Sequence, residues 1–178
     1  MRVAVHGASG SGKTTLARTL ARATGAPHLE LDSLYHQPEW TPLDRESFSR
    51  RVSEFIAGEE WVVDGNYRDV RPLVWARASL IVIIDRPRWR TTWRVFRRTV
   101  SRGLRRTELW NGNRESIWRL FSRDPERNIV LWSWRKQLHY RRDVPGDAAR
   151  EAPGATVVVV RSDADARRLI TGLATPTR

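Results

Sequence analysis

Gly7-Ala8-Ser9-Gly10-Ser11-Gly12-Lys13-Thr14 decides how the rest of the chain is read. It fits the pattern G-x-x-x-x-G-K-[ST] of a P-loop. The glycines let the backbone bend so that successive N–H groups turn inward on phosphate oxygens. Residues 13–24 read as a helix, with Leu16 and Leu20 on one face and Gly25 placed to end it. The positive end of that helix faces the same anion. In such a cradle Gly7, Ala8, Ser9, Gly10, Ser11, Gly12, Lys13, Thr14 and Thr15 are expected to hold a nucleoside triphosphate. Lys13 reaches the β- and γ-phosphates, and the Thr14 hydroxyl is expected on Mg²⁺.

Outward from this motif, short apolar strands alternate with helical stripes. Val3 to His6 precedes the loop. His28 to Leu31, Trp61 to Asp64, Leu80 to Asp85 and Thr156 to Val160 read as further strands. Continuous apolar runs of this length suit buried parallel strands, and their alternation with helices predicts an α/β fold. Thr41-Pro42-Leu43-Asp44 predicts a helix start with Thr41 as cap, and Phe48, Val52, Phe55 and Ile56 give that helix its stripe. Ser162 and Asp165 open a last helix. Asp143 to Gly154, with two Pro and two Gly, predicts a loop. Residues 88–142 predict a helical, basic insertion between the fourth and fifth strands. The 178 residues fit one domain, and the last few, from Ala174, are expected to fray.

Charge is concentrated in that insertion. The formal net charge is +12, yet residues 86–142 carry 17 Lys/Arg against 4 Asp/Glu and the remainder is nearly neutral. Thirty of the 32 basic residues are Arg, whose planar fork clamps phosphate oxygens. Arg94, Arg97, Arg98, Arg102, Arg105 and Arg106 stand at near-helical spacing. Arg98 and Arg102 are expected to reach the donor phosphates, and Arg114 the acceptor. Trp89, Trp93, Trp110, Trp118, Trp132 and Trp134 are interleaved with the arginines. Such a mixture can stack on single-stranded nucleic acid, but Ile117, Trp118, Leu120 and Phe121, and Val130, Trp134 and Leu138, fall at helical spacing and read as core. Cysteine is absent, which excludes disulfides and thiolate metal sites. The apolar runs are too short to span a bilayer, and with the motif so near the first residue no signal peptide is expected before it. The expectation is a cytoplasmic protein without a membrane partner.

A P-loop needs a second metal partner, an Asp ending an apolar strand. Asp64 and Asp85 both qualify. Asp64 is preferred because Gly-Asn-Tyr-Arg follows it, whereas Asp85 leads into Arg-Pro and reads as a partner for a nearby Arg. Asp32, expected at the end of the second strand, is positioned to take a proton from an attacking hydroxyl. With Lys13 and Arg98 it completes the expected catalytic set. His36, Asn66, Arg68 and Arg71 are expected on the acceptor side.

The P-loop with Trp61-Val62-Val63-Asp64-Gly65 resembles the small nucleoside and nucleotide kinases, including the adenylate kinase group. Asp32-Ser33-Leu34-Tyr35 is similar to the acceptor-activating region of uridine-kinase-like enzymes. Over roughly residues 1–161 the chain resembles the bacterial family labelled DNA topology modulation protein, of the FlaR type. That resemblance rests on Leu31 to Pro38, Trp40-Thr41-Pro42, Asp64-Gly65-Asn66-Tyr67, Glu108 to Glu115 and Ser122-Arg123-Asp124-Pro125. It implies a P-loop NTPase fold, three-layer α/β/α, with a five-stranded parallel sheet in the order 2-3-1-4-5. It also implies ATP with Mg²⁺ and an Arg-rich lid at 88–142. The stretch after Asp64-Gly65 lacks the Phe-Pro-Arg of true adenylate kinases, which argues against AMP as acceptor. The expected activity is an ATP-dependent phosphotransferase acting on a small acceptor, a nucleoside or nucleotide first. The alternatives are an ATPase that binds nucleic acid and a nucleotide sensor with negligible turnover.

Overall fold

The computed structural model describes residues 1–105, 108–113 and 129–174. Five strands, β1 (Arg2–Gly7), β2 (His28–Glu30), β3 (Trp61–Asp64), β4 (Leu80–Ile84) and β5 (Thr156–Val160), form one parallel sheet in the order β2-β3-β1-β4-β5. Eight α-helices are described: α1 (Lys13–Thr24), α2 (Leu31–Tyr35), α3 (Arg45–Ile56), α4 (Arg71–Arg77), α5 (Arg88–Leu104), α6 (Ile129–Arg142), α7 (Val144–Glu151) and α8 (Asp163–Ala174).

The period-two geometry of the strands divides the core between the two faces of the sheet. Val3, Val5, Val62, Leu80, Val82 and Ile84 point to one face, where Leu16 and Leu20 of α1 and Leu169 and Ile170 of α8 cover them. Ala4, Val63, Ile81 and Ile83 point to the other. There they meet Phe48, Val52 and Ile56 of α3, Val74 and Trp75 of α4, and Val144 and Ala148 of α7. This is a three-layer α/β/α arrangement, and it explains why the strands read as continuous apolar runs. Among the described residues, no helix is long and apolar enough to cross a membrane.

α1 has its expected bounds and ends at Gly25 in a left-handed conformation, and β1 extends one residue beyond the expected Val3 to His6 at each end. Elsewhere the structure corrects the reading. β2 stops at Glu30, so Asp32 lies in the first turn of α2 rather than at a strand end. The cap of α3 is Asp44, whose carboxylate accepts from the Ser47 N–H at 2.8 Å, and not Thr41. The expected loop at 143–154 contains α7. Pro145 is tolerated because it sits in the first turn, where its missing N–H has no helical partner to lose, and Val144 and Ala148 bury against the sheet.

The segment 88–142 is not helical throughout. Trp110–Gly112 is a 3-10 turn, with Asn111 at φ +55° and Gly112 at +78°. Trp134 and Leu138 are exposed rather than core, because α6 turns Gln137 inward, where its amide donates to the Arg86 carbonyl and the Thr91 hydroxyl. Trp89 and Trp93 are also exposed, at 64% and 55%. Arg106, Arg114, Ile117, Trp118, Leu120 and Phe121 lie outside the described residues, as do Ser122 to Pro125, the Trp132 side chain and the last four residues.

Candidate active site

β1 ends at Gly7 and α1 begins at Lys13, so the P-loop is the connection from strand to helix at the carboxyl edge of the sheet. Gly12 precedes the helix at φ +96°. A side chain there would be strained. No acidic residue belongs to the first turn of α1 itself. Asn66, just past β3, staples the loop: its amide donates to the Gly7 carbonyl at 2.7 Å and accepts from the Gly7 N–H at 3.3 Å.

Strand register brings the carboxylates together. Glu30 and Asp64 are paired neighbours at the ends of β2 and β3. The Thr14 hydroxyl donates to Asp64 Oδ2 at 2.7 Å and lies 3.3 Å from Glu30 Oε1. Asp64 Oδ1 is 2.8 Å from His28 Nε2, and Glu30 Oε2 pairs with Arg18 at 2.9 Å. The structure thus brings Thr14 and Asp64 together, while Glu30 and His28 escaped the sequence reading. The one available signal was their parity on β2, which is usable only once β2 is known to lie beside β3. Asp85 is elsewhere, near Arg141 at 3.4 Å and Arg161 at 3.8 Å. An all-oxygen set of a hydroxyl and two carboxylates suits a small hard cation such as Mg²⁺.

Lys13 Nζ is 3.8 Å from Asp32 Oδ2. The Tyr67 hydroxyl donates to Asp32 Oδ1 at 2.8 Å. Burial, and then the Asp32 charge, push the Tyr67 phenol far above its ordinary value, so it remains a donor. Tyr67 is held by aromatic neighbours, with Tyr35 at 4.6 Å and Phe48 at 5.1 Å between ring centroids. His36 lines the same cleft. Burial lowers its pKa, opposed by the Asp32 charge. Arg68 also lines the cleft and is exposed. Arg71 requires a correction. It points to α7, pairing with Glu151 at 2.7 Å and Asp147 at 3.4 Å and lying over the Trp75 ring.

Arg94, Arg98 and Arg102 are four residues apart on α5 and all three line the cleft. Arg98 donates to Ser9 Oγ at 3.3 Å. Arg97 and Arg105 are exposed and do not line it. The cleft encloses about 1490 Å³. It runs from Arg86, Ala166 and Ile170, past the P-loop, to His36, Trp40 and Trp110. One continuous groove therefore joins the P-loop, three guanidinium groups, Thr14 with Glu30, and a carboxylate with aromatic walls. This can hold a triphosphate beside a second small molecule.

A family model described as "AAA domain" matches residues 3–109. Among solved structures, a gluconokinase from Sinorhizobium meliloti 1021 is similar at 22% identity and a TM-score of 0.57, with 97% of this chain and 91% of that one covered. A sugar kinase from Janibacter sp. HTCC2649 aligns at 20% identity and a TM-score of 0.48, over 97% and 89% of the two chains. No curated protein matches the sequence. The likeness to the gluconokinase concerns the fold.

Proposed function

The chain belongs to the AAA domain family, and we propose that it is a small kinase that moves the γ-phosphate of ATP onto a hydroxyl of a small acceptor, a nucleoside or nucleotide first. The observation that carries this reading is Asp32. It places a carboxylate 3.8 Å from the P-loop lysine, in the same cleft. A base is useful there if a hydroxyl loses its proton beside the γ-phosphate.

Each residue then has a task. The backbone amides of Gly7 to Thr15 and the start of α1 bind the phosphates. Lys13 leaves Asp32 for the β- and γ-phosphates once nucleotide enters. Thr14 and Asp64, with Glu30 beside them, would hold Mg²⁺. When bound there, the ion neutralises charge on the β- and γ-oxygens. Asp32 accepts the proton as the acceptor oxygen bonds to the γ-phosphorus, while the bond from that phosphorus to the β,γ-bridging oxygen breaks and ADP takes the electron pair. Tyr67 keeps the carboxylate oriented. Arg94, Arg98 and Arg102 form the Arg-rich face of a lid, neutralising the transferring group and excluding water that would otherwise take the phosphate.

Asp32→Asn tests this directly. Acceptor-dependent ADP formation is expected to fall by about 10²–10⁴-fold, with MgATP affinity nearly unchanged. Turnover equal to the unaltered protein would remove Asp32 from the chemistry. A second reading, an ATPase that binds nucleic acid, is favoured by one observation: Trp89 and Trp93 stand exposed among the arginines of α5. It predicts that single-stranded DNA stimulates hydrolysis and that Trp89→Ala abolishes the stimulation.

A further inference from the structure

Two stretches singled out in the sequence have no task in this reaction: Trp40-Thr41-Pro42 and Glu108 to Asn113. The structure joins them. Asn113 is 3% exposed. Its Oδ1 accepts from the Trp40 N–H at 2.7 Å, and its Nδ2 donates to the carbonyls of Gln37 at 2.8 Å and Trp110 at 2.9 Å. Asn111 Nδ2 adds contacts to the carbonyls of His36 at 2.6 Å and Ser33 at 3.3 Å. Both turns are wound through left-handed backbone, with Glu39 at φ +58°, Trp40 at +59° and Asn111 at +55°. Side-chain-bearing residues take that region uncommonly, and here the Asn113 amide ties the two turns together.

The clasp sets three rings around one end of the cleft. Trp110 stacks on His36 at 6.0 Å between centroids, and Trp40 meets His36 edge-on at 5.3 Å. All three line the cleft, together with Asp32, Tyr35 and Tyr67. Burial favours the uncharged form of His36. Arg71 is engaged on α7, and Arg68, beside Tyr67 in the chain, is exposed.

We infer that the clasp between residues 37–41 and 108–113 builds an acceptor subsite for an uncharged ring bearing a hydroxyl, with Asn113 as its positioning residue. The inference rests on the kinase reading and deepens it. Aromatic side chains recognise a ring by its face, and base–aromatic stacking gives appreciable binding without reading the base. The flat faces of a sugar offer the same contact. A carboxylate at the reacting end and a neutral imidazole in the wall suit an uncharged molecule better than an anionic one.

The test uses the full chain with MgADP and calorimetric titration of four probes: thymidine, thymidine monophosphate, glucose and glycerol. Thymidine or glucose is expected to bind, and whichever does so names the ring as nucleoside or sugar. Trp110→Ala and Asn113→Ala should weaken that binding at least about ten-fold. Trp110→Phe should restore most of it, and MgADP affinity should stay the same. Should Asn113→Ala fail to fold, Trp110→Ala and its Phe rescue carry the test. In turnover the same variants should raise the acceptor KM and leave kcat little changed. Binding of neither ring, tighter binding of the monophosphate, or equal binding by Trp110→Ala overturns the inference. Clasp-dependent ring binding without phosphate transfer would instead overturn the kinase reading and leave the subsite standing. Transfer to an acceptor whose KM is indifferent to Trp110 would do the reverse.

Discussion

Asp64 is buried at the end of β3, yet both of its oxygens are engaged, one by Thr14 and one by His28. Its position is set by the sheet and its orientation by His28, so the pair can be separated by mutation. His28→Ala is expected to weaken the apparent Mg²⁺ affinity of turnover by about 10–100-fold, read from titrations at fixed ATP. An unchanged Mg²⁺ dependence would show that Asp64 needs no such support. Beneath the P-loop, burial lowers His6 to about 4, and its Nε2 accepts from Trp75 Nε1 at 2.7 Å. The folded protein therefore favours neutral His6, while the unfolded chain takes up a proton below its ordinary value. That contribution is complete above pH 6.5 and is lost as pH falls towards 4. Between pH 7 and pH 5 it amounts to about 2 kcal/mol. Urea unfolding at the two pH values should show the loss, and His6→Gln should flatten it. At this scale the P-loop was legible because its spacing is local, and Asp64 stood out as the end of an apolar strand. Glu30, His28 and Asn113 were not, since each acquires meaning only from a neighbour 16 to 76 positions away.

The P-loop and α5 form a unit at the scale of elements. Gly10, at φ +77°, packs so closely that an added Cβ would lie 2.6 Å from both the Thr91 carbonyl oxygen and Val95 Cγ2. Gly10→Ala should therefore lower stability by about 1–3 kcal/mol and also reduce MgATP affinity, measured by thermal melts with and without nucleotide. A loss of neither would uncouple the loop from α5. Arg71 belongs to a different junction. Arg71→Ala should cost about 1–2 kcal/mol by releasing α7 from α4, with KM and kcat little altered. A large rise in acceptor KM would return Arg71 to the acceptor site. Helices with a simple stripe, α1 and α3, could be read from the sequence. α7 could not, because Pro145 and Gly146 signal a break unless the helix is known to start at Val144. Trp134 and Leu138 misled for the opposite reason: their spacing is helical, but spacing does not say which face of α6 is buried.

The whole molecule separates its two kinds of surface. The sheet and its flanking helices carry almost no net charge, and the positive excess lies after β4, where Arg94, Arg98 and Arg102 of α5 line the cleft. The sheet order followed from a resemblance and matches the order found. The strand pattern alone could not have chosen among parallel arrangements. Whether the positive segment serves phosphates inside the cleft or a polyanion outside it is also decided at this scale. A nucleic-acid footprint of six to ten phosphates would lose about 10³–10⁵ in affinity between 50 and 200 mM salt. Acceptor-dependent turnover is expected to vary far less over that range, and single-stranded DNA should not stimulate ADP formation.

The central claim, that phosphate is transferred rather than merely released, is tested by following the label of γ-labelled MgATP in the presence of a panel of nucleosides, nucleotides and sugars, and identifying the labelled product by mass spectrometry. The account predicts label on the hydroxyl of one acceptor and none with Lys13→Ala. Label found solely in inorganic phosphate, with or without DNA, would contradict it.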